Sequence, residues 1–226
     1  SGPTPASSRS TRDAPIRSSR PGRPVNTMIP KSASIAPSGL TYLSGIDTSP
    51  RVDRYARLLA ALDSGTGIDT PEFELSSDEV AETVMHLNGD IYLANARVRR
   101  YVMLRLEELI SAEGNPVFQP KTITIEHVLP QQPRPDSAWR TLFTDEERTD
   151  WTNRLANLVL LGRIKNSAAA NLDFEQKKDK YFKGRTGVAT FALTVEVLNE
   201  PSWIPQILEH RQSRLLGKLT DAWHLG

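Results

Sequence analysis

Ile125-Glu126-His127-Val128-Leu129-Pro130-Gln131 and Asn157-Leu158-Val159-Leu160-Leu161, followed by Asn166, are the stretches on which the fold turns. A β-rich run, Thr122-Ile123-Thr124-Ile125, leads into the first; the second is an apolar run of strand length. The two are predicted to pair as a hairpin whose connection carries a short helix. Thr144 and Glu147 stand at capping-box spacing ahead of Trp151 and Leu155. Side chains alternate along a strand, so Glu126 and His127 point to opposite faces while the strand stays regular. Both can serve one site only if the backbone distorts there, and Pro130 is consistent with the strand ending.

These residue types suit hydrolysis of a phosphodiester. A neutral histidine, with an ordinary pKa of about 6.5, can take a proton from water near pH 7. A hard divalent cation stabilises charge on the phosphate and the leaving oxygen. Magnesium prefers oxygen ligands, which Glu126 and the Asn166 amide supply. Taken singly, each residue has an ordinary structural role. A histidine in an apolar stretch packs in a core, a strand glutamate is solvated, and an asparagine forms turns or caps helices. The joint order and the interval of nine positions from Asn157 to Asn166 carry the functional reading.

That order resembles the site of an HNH, or ββα-metal, nuclease. The text Glu126-His127-Val128-Leu129-Pro130-Gln131 is similar to the HNH domain of CRISPR RNA-guided nucleases, where an aspartate usually precedes the histidine. The resemblance extends to the C-terminal domain of GmrSD-type, modification-dependent restriction enzymes. It is carried by Leu155-Ala156-Asn157-Leu158-Val159-Leu160-Leu161, Asn166-Ser167, Asn171, Phe174, Lys177 and Tyr181, and by Trp203-Ile204 through Arg211 to Trp223. Upstream, Ile91-Tyr92, Arg97, Arg100, Leu104 and Glu107 fit the segment before the site in that family. The anti-phage nickase SspE carries a domain of the same type. Two departures stand out: Glu126 replaces the aspartate, and Ala168-Ala169-Ala170 occupy the stretch where CRISPR-type sites place a lysine.

The resemblance implies roles. His127 is the general base, and Asn157 holds the hairpin and orients His127. Glu126 and Asn166 bind Mg²⁺ or Mn²⁺. The substrate is double-stranded DNA, cut or nicked in restriction or phage defence, beside an NTP-using sensor domain of the same protein. A non-catalytic DNA-binding module with a degenerate site and an RNA-cleaving enzyme are the rival readings.

Composition bounds these expectations. The 226 residues contain no cysteine, which excludes disulfides and zinc knuckles and fits a reducing cytoplasm. No apolar run approaches the roughly 20 residues that span a bilayer, and no apolar signal core opens the chain. Ser1-Gly2-Pro3 reads as a tag remnant, which makes the chain a piece of a longer protein. Net charge is +1, yet residues 1–40 carry six cations (Arg9, Arg12, Arg17, Arg20, Arg23, Lys31) against Asp13, leaving −4 for the remainder. Lys177, Lys178, Lys180, Lys183 and Arg185 form a second basic cluster. With Arg211, Lys177, Lys178 and Lys180 are the expected phosphate contacts, since clustered charge binds nucleic acid even at low net charge.

The expected class is α+β and mostly helical, with a ββα-metal core flanked by N- and C-terminal helices. Residues 1–40, rich in Pro, Ser and Arg, read as a flexible arm. Residues 41–116 form a helical subdomain: Ser49-Pro50 opens a helix with Val52, Tyr55, Leu59 and Leu62 on one face. Ser76 and Glu79 cap a second helix, and Asp90 caps a third that Gly114-Asn115-Pro116 ends. The core covers 117–185, with a helix over Phe174–Tyr181, and 186–226 hold two docked helices separated near Pro201.

Overall fold

In the computed structural model, residue 2 and residues 48–65, 74–111, 123–162, 171–179 and 191–226 are described. The expectations for the arm beyond Gly2, for the Gly114-Asn115-Pro116 stop, and for Asn166, Lys180, Lys183 and Arg185 fall outside those residues.

Helix α1 spans Thr48–Asp63 and α2 spans Ser77–Asn88. The capping box before α2 forms as its spacing requires: the Ser76 hydroxyl accepts from Glu79 N, and Glu79 accepts from Ser76 N. On α1 the apolar periodicity yields a helix but not a buried face. Val52 and Leu59 are 57% and 62% exposed, and Leu58 is the residue turned inward.

The helix expected to start at Asp90 is divided. Ile91–Leu93 form a single 3₁₀ turn with no side-chain cap from Asp90. Helix α3, Ala96–Ile110, starts afresh from Asn95, whose Oδ1 accepts from Arg97 N at 2.9 Å. Asn95 wins because asparagine at an N-cap satisfies an otherwise unpaired amide.

Strand β1 (Thr124–His127) pairs antiparallel with β2 (Leu158–Leu161), in register Thr124↔Leu161 through His127↔Leu158. The connection holds α4 (Trp139–Leu142), α5 (Asp145–Trp151) and a 3₁₀ turn over Leu155–Asn157. Thr144 and Glu147 complete the second capping box. Helix α6 (Phe174–Lys177), α7 (Ala192–Asn199) and α8 (Pro205–Trp223) follow.

Strand β2 is apolar throughout because both of its faces are covered. Leu158 and Leu160 join one cluster with Leu87, Val102, Leu106, Leu215 and Leu219. Val159 and Leu161 join another with Leu129, Trp139, Phe143, Phe174 and Trp203. The hairpin is therefore the partition between two cores. Trp139 is fully buried, as a packing residue should be, and its indole N–H donates to Leu172 O at 3.0 Å. No helix among the described residues is long and apolar enough to cross a membrane.

Candidate active site at the end of the hairpin

The cross-strand register sets the directions of the two central side chains. Glu126 sits opposite Val159, on the face of the Trp139 and Phe174 cluster; His127 sits opposite Leu158, on the face of the helical cluster. The strand is regular through His127, and the distortion follows immediately. The Lys177 ammonium donates to both His127 O and Val128 O, at 2.8 and 2.7 Å. Successive carbonyls of a regular strand point opposite ways, so one ammonium can reach both only where the backbone has turned.

Asn157 fixes that turn. Its Oδ1 accepts from Leu129 N at 2.7 Å and from the Trp203 indole at 3.2 Å. Its Nδ2 donates to Leu129 O and Thr152 O, each at 2.9 Å. Its own carbonyl accepts from Val128 N at 2.9 Å. Asn157 is fully buried, and every side-chain bond goes to the loop after β1, the end of α5 or the α7–α8 junction.

His127 projects against Tyr92, with ring centroids 4.1 Å apart and an interplanar angle of 61°. Burial pulls its pKa down to about 4; the Asn153 amide opposes this, while Lys177 and Arg99 add to it. Neither His127 Nε2 nor Asn153 Oδ1, both buried, completes a well-aligned hydrogen bond. The ring is therefore neutral at pH 7, and its buried Nε2 lacks a well-aligned partner. Asn153 also borders a groove of about 590 Å³ that Gln131, Gln132, Arg140, Arg148 and Thr149 help to line.

The basic residues expected on the DNA surface are placed differently. Lys177 has no exposed surface and donates to two carbonyls; burial lowers its pKa to about 7, against the pull of Glu126. Lys178 donates to Glu200 O at 2.9 Å, pairs with Glu175 and lies over the Phe174 ring. Arg211 is 4% exposed and donates to Ala156 O and Leu193 O; burial lowers its pKa to about 10, with Glu196 opposing. Lys177 and Arg211 tie helices α6 and α8 to the hairpin and its 3₁₀ turn, and Lys178 ties α6 to the end of α7. The expectation of phosphate contacts at Lys177 and Arg211 is corrected by their burial. Long side chains at helical spacing look alike in sequence whether they face solvent or cap unpaired carbonyls.

Glu126 is half-buried and within electrostatic reach of Lys177. Among the described residues no group of three or more His, Cys, Asp or Glu is placed to hold a metal ion. Asn166 lies outside them. Tyr92 belongs to the family-like text, and Arg99 is one of four arginines on the helix after Asp90, which by sequence pair with acidic neighbours or line a groove. Nothing local marks an aromatic 35 positions upstream as the neighbour of His127.

A family model described as the C-terminal domain of GmrSD restriction endonucleases matches residues 77–218. No curated protein matches the chain.

Proposed function

We propose that this chain, which belongs to the family of GmrSD restriction endonuclease C-terminal domains, cuts double-stranded DNA at the end of its β-hairpin with His127 as general base. The observation that carries the reading is the His127 imidazole: burial holds it neutral, and its Nε2 makes no well-aligned hydrogen bond, at a strand end that Asn157 and Lys177 fix. Nε2 takes a proton from water as the water oxygen forms its bond to phosphorus. The bond from phosphorus to the leaving deoxyribose oxygen breaks, and that oxygen takes a proton from solvent. One strand end then carries a phosphate and the other a hydroxyl.

Magnesium is commonly held by one or two carboxylates together with substrate oxygens and water. Glu126 supplies a donor of that kind, with Asn166 as the second proposed protein ligand and Mn²⁺ as the alternative ion; the regular register of β1 sets Glu126 on the face opposite His127, so ion and base would reach the phosphate from the two sides of the strand end. When bound, the ion would stabilise negative charge on the phosphate and the leaving oxygen. Asn157 is a positioning residue: it aims His127 by holding Leu129 and the 3₁₀ turn together. The same reading makes the chain a nickase in restriction or phage defence, working in the cytoplasm beside an NTP-using sensor domain of the same protein.

The test uses supercoiled plasmid with Mg²⁺, with excess EDTA, and with His127→Ala. Mg²⁺-dependent relaxation to the open-circle form, lost in EDTA and reduced about 10²–10⁴-fold in the variant, supports the assignment. Wild-type rates in folded His127→Ala remove it. Relaxation that persists in the chelator removes the metal.

A further inference from the structure

The helical part of the chain reaches the proposed site through two side chains that this chemistry has not used. Tyr92 touches His127, with ring centroids 4.1 Å apart, and the Arg99 guanidinium sits 4.6 Å from the Tyr92 centroid. Arg99 Nη1 donates to Tyr92 O at 2.7 Å, and Tyr92 N donates to Asn153 O at 3.0 Å. Tyr92 is thus pinned at backbone and ring, and Arg99 is pinned to Tyr92.

We propose that Arg99 is a phosphate-binding residue of this site, seated on the Tyr92 ring, and that it takes a DNA backbone phosphate beside His127. The inference rests on the nuclease reading. A guanidinium offers five donors in a planar fork that matches two phosphate oxygens. Among the described residues, the bond to Tyr92 O through Nη1 is the one side-chain hydrogen bond of Arg99, and the residue is only half-buried, which leaves Nη2 and Nε for a ligand. Stacking over an aromatic ring fixes the plane of an arginine and leaves its edge to bind. Two other cations of the hairpin region are committed: Lys177 to two carbonyls, and Arg148 to Phe143 O and Asp145.

The test separates binding from cutting. Affinity for a 20-base-pair DNA duplex is measured in EDTA across a KCl series, for wild type, R99Q and R99M, the last of which keeps the stem over Tyr92. Each phosphate contact contributes about 0.9 to the slope of log K against log salt. The expected result is a slope lower by about 0.9 in either folded variant, with weakening that does not depend on sequence. R99M decides should R99Q not fold. Plasmid cleavage by wild type together with an unchanged slope in R99M overturns this proposal and leaves the nuclease reading standing. A wild type that neither binds duplex nor relaxes plasmid overturns both.

Discussion

Replacing Asn157 with alanine should be among the most damaging single changes to the hairpin. The amide serves four buried groups: Leu129 N, Leu129 O, Thr152 O and the Trp203 indole N–H. Each buried group left without a partner costs about 1–3 kcal/mol. Some relaxation will recover part of that, because the loop after β1 can move when its clamp is gone. We expect a net loss of roughly 3–5 kcal/mol, and a fall in Tm on the order of 10 °C for a domain of this size. Trp203 touches the amide, so its fluorescence reports the change directly during urea unfolding. Asn157→Asp adds a second reading. It retains an acceptor for Leu129 N but sets a carboxylate against Leu129 O and Thr152 O, where a donor stood. The folded state then favours the protonated acid, so this variant's deficit relative to wild type should shrink as pH falls toward the ordinary range for aspartate, near 3.9. An unfolding free energy for Asn157→Ala, taken from urea titration, within about 0.5 kcal/mol of wild type, the range of ordinary surface changes, would refute the clamp.

Acid should weaken the fold through His127. Its pKa falls from 6.5 to about 4 on burial, so the unfolded chain binds the proton more tightly. The stabilisation of about 3 kcal/mol is complete above pH 6.5 or so and is lost as pH drops toward 4. His127→Gln should flatten that part of the stability–pH profile in metal-free buffer; an identical profile sinks the claim. Lys177→Met should cost about 2–4 kcal/mol, because His127 O and Val128 O lose their shared donor. Its salt slope for DNA should match wild type, and a lower slope with undiminished stability would return Lys177 to the DNA surface.

The hairpin was legible in the sequence because its signals are local. An apolar run at Leu158–Leu161 and capping boxes at Ser76 and Thr144 each specify structure within a few residues. The two-sided burial of β2 likewise follows from its having no polar position. What local text does not encode is which partner a polar side chain meets. Arg211 and Lys178 read as surface charge, yet the carbonyls they satisfy belong to Ala156, Leu193 and Glu200. Asp90 read as a helix cap because Asn95 offered a competing start only five residues later. Tyr92 reaches His127 through a tertiary approach of the 3₁₀ turn to the hairpin, held by its bond to Asn153 O.

Gln212 on α8 bonds Ala156 N, Leu87 O and Asn88 Oδ1, drawing the 3₁₀ turn before β2 to the end of α2. Its side chain lies 56 residues downstream of the first of these partners and 125 downstream of the second. Synthesis on the ribosome runs in that same direction. The turn that carries Asn157 therefore waits for α8 to emerge before Ala156 N and Ala156 O receive their side-chain partners, and Trp203 must emerge before Asn157 is fully bonded. A chain that stops between β2 and α7 contains Asn157 and its 3₁₀ turn but lacks the Trp203, Arg211 and Gln212 bonds that complete their surroundings.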